Sequence, residues 1–219
     1  MATSKMQRLF CGLALMLAVA LSGGRVEAHP HVWITAVSEL VYAPDGTITG
    51  VRHAWTFDDM FSAYAVQGLA SKTPGQFTRE ELAPLAQTNV ESLKEYAFFT
   101  FAKAGPVGRQ KKEKFGDPVD YYLDYKDSVL TLHFTLPFKT PFKAQQLAVE
   151  VFDPTYFIDF KMADKDPIKL VGAPANCKMS FVRPTDATQM QPLDENSFLN
   201  GDNSNYGAMF ANKISVECP

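Results

Sequence analysis

The chain has 219 residues, with 21 basic side chains against 24 acidic ones, 46% hydrophobic residues, 12% aromatic residues and three cysteines. This is globular composition, which excludes collagen-like, low-complexity and wholly disordered chains, and the slightly negative balance gives no basic footprint for a nucleic-acid partner. No apolar run reaches the roughly 18–20 residues that a membrane span needs, so a multi-span transporter is excluded as well.

The first segment carries an export pattern. Lys5 and Arg8 precede an unbroken small-and-apolar run from Leu9 to Leu21. As a helix this run would be about 20 Å long, short of a ~30 Å hydrocarbon core. Ser22-Gly23-Gly24 interrupts it, and Val26-Glu27-Ala28 offers small residues at the cleavage positions. Residues 1–28 therefore predict a secretory signal peptide, and residues 29–219 a single exported domain. A cut after Gly24 is the rival. Cys11 falls in the discarded segment. Cys177 and Cys218 remain, and in an oxidising compartment they predict a disulfide, with two unpaired thiols as the alternative. The bond would close a loop of about 42 residues and stabilise by about 4 kcal/mol in the chain-entropy model.

Apolar alternation over Val32 to Tyr42 and Ile48 to Asp58, flanking Pro44-Asp45-Gly46-Thr47, predicts a hairpin. Asp58 can cap a helix from Asp59 to about Ala70. Thr78 begins a second helix, with Glu81 completing a capping box. Strands are predicted over Phe98–Ala104, Val119–Tyr125, Val129–Phe138, Leu147–Asp153 and Phe157–Ala163. Gly105 to Pro118, with Arg109, Lys111, Lys112 and Lys114, is expected to be a basic hairpin tip. Cys177–Val182 and Ile214–Cys218 form a candidate strand pair, and Thr185 to Asn212 a polar surface excursion held by the disulfide. The expected class is α+β, mostly antiparallel, with a helix-loop-helix insertion after the first hairpin.

Chemistry concentrates on the four histidines, His29, His31, His53 and His133. Imidazole suits zinc, copper and nickel. Cleavage after Ala28 would give His29 the new amine, and His31 can add a second ring. Pro30 lacks an amide proton, which blocks chelation through deprotonated backbone nitrogens and favours separate side chains. With Asp45-Gly46 as a two-residue loop, paired hairpin positions sum to ninety-one. Trp33 then faces Asp58, Ser38 faces His53, and His31 lies one diagonal from Asp58 on the non-core face. His29, His31 and Asp58, with Asp59 nearby, are the candidate metal ligands; a frayed terminus and a plain helix cap are the alternative. His53 falls on the core face, roughly 23 Å along the strand at ~3.3 Å per residue, bonded to Ser38. His133 alternates with Thr131 and Thr135 on the polar face.

Ala70 to Glu81 has the length of a calcium loop, with Gly75 and Glu81 in place. Ala70, Lys72 and Pro74 occupy three ligand positions, so no calcium is expected. Asp153 before Pro154 predicts an Asx-type turn; in a functional role it would be a carboxylate at a strand end beside Tyr156. There is no G-x-S-x-G, H-E-x-x-H, C-x-x-C or glycine-rich phosphate loop, and a non-enzyme is expected.

Several segments resemble one exported bacterial family of unknown function. They are His29-Pro30-His31-Val32-Trp33, Trp55-Thr56-Phe57-Asp58-Asp59-Met60-Phe61-Ser62 and Phe152-Asp153-Pro154-Thr155-Tyr156-Phe157. Gly172-Ala173-Pro174 before Cys177 and Phe210-Ala211-Asn212 before Cys218 match too. Members are labelled the periplasmic component of an uncharacterised ABC-type transport system, and the family is similar to the zinc-uptake protein ZevA. The resemblance implies a periplasmic location and a role beside an inner-membrane metal permease of the nickel/cobalt transporter type. Many members carry a fuller acidic loop between the two helices, from which this chain departs. The resulting expectation is a transition-metal-binding accessory, for zinc first and nickel, cobalt or copper next. The alternatives are a copper histidine-brace oxidoreductase, which needs a third imidazole, and a metal-free module whose Tyr121, Tyr122, Phe138 and Phe142 dock a membrane partner.

Overall fold

The structure is a computed structural model that describes residues 30–182 and 206–219. The predicted signal segment, His29 and most of the predicted polar excursion lie outside the described residues. Strands β1 (Val32–Tyr42) and β2 (Ile48–Phe57) form the expected hairpin, and Ile34↔Phe57 through Val41↔Gly50 keep the ninety-one register. The turn differs from expectation. Ala43 donates to Thr47 O and Gly46 to Ala43 O, which makes a three-residue loop with Gly46 at φ +80°. The pairing therefore starts one residue out of step, and an irregularity between Val41 and Tyr42 restores it.

Helix α1 (Asp59–Ala65) is shorter than predicted. Turn bonds from Gln67 and Leu69 and Gly68 at φ +80° end it before Ala70. Its Ser62 is fully buried and accepts the Leu130 N–H at 3.0 Å, which pins α1 to the sheet. Helix α2 (Arg79–Lys94) has the predicted capping box at Thr78 and Glu81 and buries Leu82, Ala86 and Val90. Strands β3 (Thr100–Ala104), β4 (Lys111–Glu113), β5 (Val119–Lys126), β6 (Val129–Phe142), β7 (Gln146–Val151), β8 (Ile158–Met162), β9 (Ile168–Val171), β10 (Lys178–Val182) and β11 (Asn212–Glu217) follow.

The first sheet runs β5-β6-β2-β1-β8, with β9 also on β1; the second runs β10-β11-β7-β3-β4. Inner faces of both feed one core, with Trp55, Phe134 and Leu132 from one side and Val149, Val151 and Ile214 from the other. Most pairs are antiparallel, as expected. The exceptions are β8 and β9, which run parallel to β1 at successive stretches of its free edge. Part of the expected basic tip is strand β4, paired to β3 over Ala102–Ala104.

The predicted strand at Phe98 starts late because Ala97, Phe98 and Phe99 all adopt left-handed φ, at 51°, 52° and 47°. Such a run costs roughly 1–2 kcal/mol per residue and persists only where its surroundings over-determine it. Here Phe98 and Phe99 are buried, Phe99 donates to Tyr96 O, Phe152 donates to Phe99 O, and Thr100 Oγ1 donates to Phe98 O. The disulfide joins Cys177 to Cys218 and ties the entry of β10 to the exit of β11.

Candidate functional site at the His31 end of the first hairpin

Asp58 ends β2 and begins α1, and its carboxylate serves both elements. Oδ1 accepts the Phe61 N–H at 2.8 Å, the N-cap bond of α1. Oδ2 accepts the Trp33 N–H at 2.9 Å, while Asp58 N–H donates to Trp33 O at 3.0 Å. The side chain thus replaces a backbone carbonyl in the last rung of the hairpin. This bond also fixes a carboxylate at Trp33, two residues along the chain from His31.

The chain at His31 is held from the other edge. Its N–H donates to Phe157 O at 2.9 Å, Val32 N–H shares that acceptor at 3.3 Å, and the His31 ring lies 4.8 Å from the Phe157 ring. Phe157 owes its position to Asp153, which is buried at the end of β7. Asp153 Oδ1 accepts from Thr155 N and Oγ1, both at 2.8 Å, and Oδ2 from Ile158 N at 3.0 Å. The predicted Asx-type turn is present, and its carboxylate is committed to loop bonds. Outside the loop, Gly207 donates to Pro154 O at 2.8 Å, and Tyr156 stacks on Phe210 at 3.9 Å. The final part of the predicted surface excursion, Tyr206–Phe210, is therefore packed down as a single 3₁₀ turn; the rest of it lies outside the described residues.

The remaining histidines lie elsewhere. His53 is 1% exposed. Its Nδ1 is 2.9 Å from Ser38 Oγ, as expected, and its Nε2 is 3.2 Å from Thr100 Oγ1, a partner on the second sheet that sequence spacing did not identify. Thr100 gives its own proton to Phe98 O, so it accepts from Nε2–H, and Nδ1 accepts from Ser38. Burial pushes the ring down to about 3, so it is neutral. With both nitrogens committed in the core, His53 does not supply the third imidazole of a copper brace. His133 stacks on Tyr122 at 4.5 Å and lies 3.4 Å from Asp124, which also takes Arg79 at 2.8 Å. Desolvation lowers the His133 pKa against the opposing pull of Asp124, with Arg79 lowering it further.

The four aromatics of the docking alternative are engaged within the fold to different degrees, with Phe138 buried and Tyr121, Tyr122 and Phe142 half-buried. Phe138 is buried between Phe115 and Phe142, Tyr122 is sandwiched by His133 and Arg79, and Tyr121 bonds Gln87. The exposed apolar side chains include Trp33, two residues from His31, Phe157 against the His31 ring, and Met60 and Tyr64 of α1. Among the described residues no three His, Cys, Asp or Glu side chains group as a metal site. The structure places His31 and Asp58 at the same end of the hairpin; His29, the third candidate, lies outside the described residues. No helix among the described residues is long and apolar enough to cross a membrane.

Two comparisons bear on kinship. An uncharacterised protein of Haemophilus influenzae (strain Rd) is 24% identical over 212 residues, which cover 94% of this chain and 98% of that protein. The family model for the protein of unknown function DUF1007 matches residues 13–218, which span the His31 hairpin, the Asp153 loop and the disulfide. The chain therefore belongs to the DUF1007 family of proteins of unknown function.

Proposed function

We propose that the protein is an exported, non-catalytic accessory that binds a transition-metal ion, zinc first, at His29, His31 and Asp58, and works beside an inner-membrane metal permease. The periplasmic location, the transport-system label and the likeness to ZevA belong to this proposal. Its strongest support is the anchoring of the His31 end. Two backbone bonds to Phe157 and the Trp33–Asp58 bond hold an imidazole-bearing residue and a carboxylate at one end of one hairpin. One imidazole and one carboxylate suit a borderline divalent ion, but they are only two of the three or four protein ligands such ions take. The His29 ring and a new amine are the nearest further donors in sequence. Each Asp58 oxygen accepts one backbone N–H and keeps a second lone pair for an ion. The exposed Trp33 and Phe157 beside His31 offer an apolar surface to a partner. The disulfide accords with export.

The test is zinc titration into the mature protein beginning at His29, with the amino terminus verified by mass. One equivalent should bind, and affinity should fall on acidification because imidazole ligates as the free base. The His29→Ala/His31→Ala double variant should lose at least about ten-fold in affinity. Asp58→Ser, which keeps a helix-capping oxygen, should lose less. Unchanged affinity in the double variant would end the proposal.

A further inference from the structure

A second candidate site lies beside the left-handed turn. A cleft of about 830 Å³ opens between the end of α2, the strand β4 with the chain after it, and β3, β7 and β11. Its volume falls within the roughly 300–1,000 Å³ of small-molecule sites. Phe98, Phe101, Phe115 and Phe152 give it an apolar floor. Six lysines line it against three carboxylates, in a chain whose net charge is −3. Lys94 pairs with Asp117 at 2.6 Å and Lys103 with Glu150 at 3.4 Å. Lys112, Lys114, Lys139 and Lys213 make no ion pair within 4 Å among the described residues; Glu113 lies among them, Asp117 also feels Lys139, and Glu150 stands opposite Lys213, so the six cations still outnumber the three carboxylates.

The topology explains how the cations converge. Lys112 is the register partner of Lys103 across β3–β4, and Lys213 is that of Glu150 across β7–β11. Lys139 N–H donates to Lys114 O at 2.8 Å, which brings the first sheet's β6 to the same rim. Because β4 covers only Ala102–Ala104, the Thr100–Phe101 end of β3 is left bare as the back of the cleft. Gathering four like charges over an aromatic floor is self-repulsive, and an anion with an apolar body relieves it.

We infer that this cleft binds an amphipathic organic anion, with a carboxylate or phosphate head held by Lys112, Lys114, Lys139 and Lys213 and an apolar body against Phe98, Phe101, Phe115 and Phe152. Nothing in this inference depends on the metal site. The same head group could belong to a free molecule or to a lipid in a bilayer; the recessed aromatic floor favours the free molecule.

The test uses the full mature protein and the fluorescent fatty acid dansylaminoundecanoate. One equivalent should bind, dodecanoate should displace it, and added salt should weaken it. Its uncharged methyl ester should bind about ten-fold more weakly, and so should the acid to the Lys112→Gln/Lys114→Gln/Lys139→Gln/Lys213→Gln variant. All four positions are exposed, so circular dichroism and the melting temperature of the variant should match the parent. Flotation with phosphatidylglycerol vesicles separates the two sources. Equal binding of acid and ester, parent-like binding by the variant, or retention on anionic vesicles without uptake of the free probe would each overturn the inference. So would failure of the probe to bind at all.

Discussion

Gly207→Ala is expected to lower the unfolding free energy by about 3 kcal/mol, read as a fall in the urea midpoint with unchanged m-value. A Cβ there would lie 1.6 Å from Asp153 O and 2.7 Å from its carbonyl carbon, so backbone and not a flexible side chain must give way. The same clip contains Asp153. Asp153→Ala removes the acceptor of Thr155 N, Thr155 Oγ1 and Ile158 N and should cost roughly 2–3 kcal/mol. Asp153→Asn should recover part of this, since one amide oxygen can serve Thr155 while its NH₂ confronts the Ile158 N–H. Both substitutions loosen the loop that carries Phe157, so the double variant should cost less than the two singles together. Asp153 is not among the proposed metal ligands, yet its loss should weaken zinc binding, because Phe157 O is what holds His31 and Val32. Strict additivity, or a Gly207→Ala protein within about 0.5 kcal/mol of the parent, would show that this clip does not set the hairpin end.

The parts of the fold that follow from local chemistry were legible in the sequence. The apolar alternation of Val32, Ile34, Ala36 and Leu40 against Val51, Trp55 and Phe57 sets the register even though the turn is one residue longer than its sequence suggests. The irregularity between Val41 and Tyr42 accommodates the three-residue turn, because a one-residue slip along the whole ladder would turn Trp55 to solvent. Thr78 and Glu81 marked α2, and Ser38 opposite His53 followed from the same parity. Gly68 was a stop signal for α1 that could have been used.

What the sequence hid depends on contacts between distant segments. Thr100 is forty-seven residues from His53, and only the stacking of the two sheets brings them together. Non-glycine residues rarely adopt left-handed φ, so an apolar Ala97-Phe98-Phe99 run reads as strand. The parallel strands β8 and β9 pair with β1 across more than a hundred residues, and their short runs carry no mark of their partner. Of the candidate site, the Asp58 double role was half visible, as a cap. Its bond to Trp33, the seat of His31 on Phe157 and the wedge of Gly207 against Asp153 were not. The lysine cleft draws on five strands and a helix end, so no single window of sequence displays it.

The other large effect concerns acid. The protein should lose stability as pH falls below about 6.5, ahead of most carboxylate titration, because His53 is neutral in the core and must stay so. In the unfolded chain the ring titrates near ~6.5, whereas burial holds it at about 3 in the folded protein. Between these values the unfolded state binds the extra proton, so stability rises with pH in that window and is fully present above it. The slope attributable to His53 approaches about 1.4 kcal/mol per pH unit, and the whole effect is on the order of 5 kcal/mol at most. Other ionisable groups of the chain contribute to the pH dependence as well, so the measurement is a difference. Urea unfolding of the parent and of His53→Gln from pH 7 to 4.5 keeps those groups common to both. The Gln side chain retains a donor and an acceptor for Thr100 and Ser38; Ser38→Ala/His53→Leu is the alternative should Gln fold poorly. Either variant should be less stable than the parent at pH 7 and should lose stability more slowly on acidification, so the two curves converge. Parallel curves would mean that His53 carries its proton into the folded state, and the Ser38–His53–Thr100 chain would then hold a charge rather than a neutral ring.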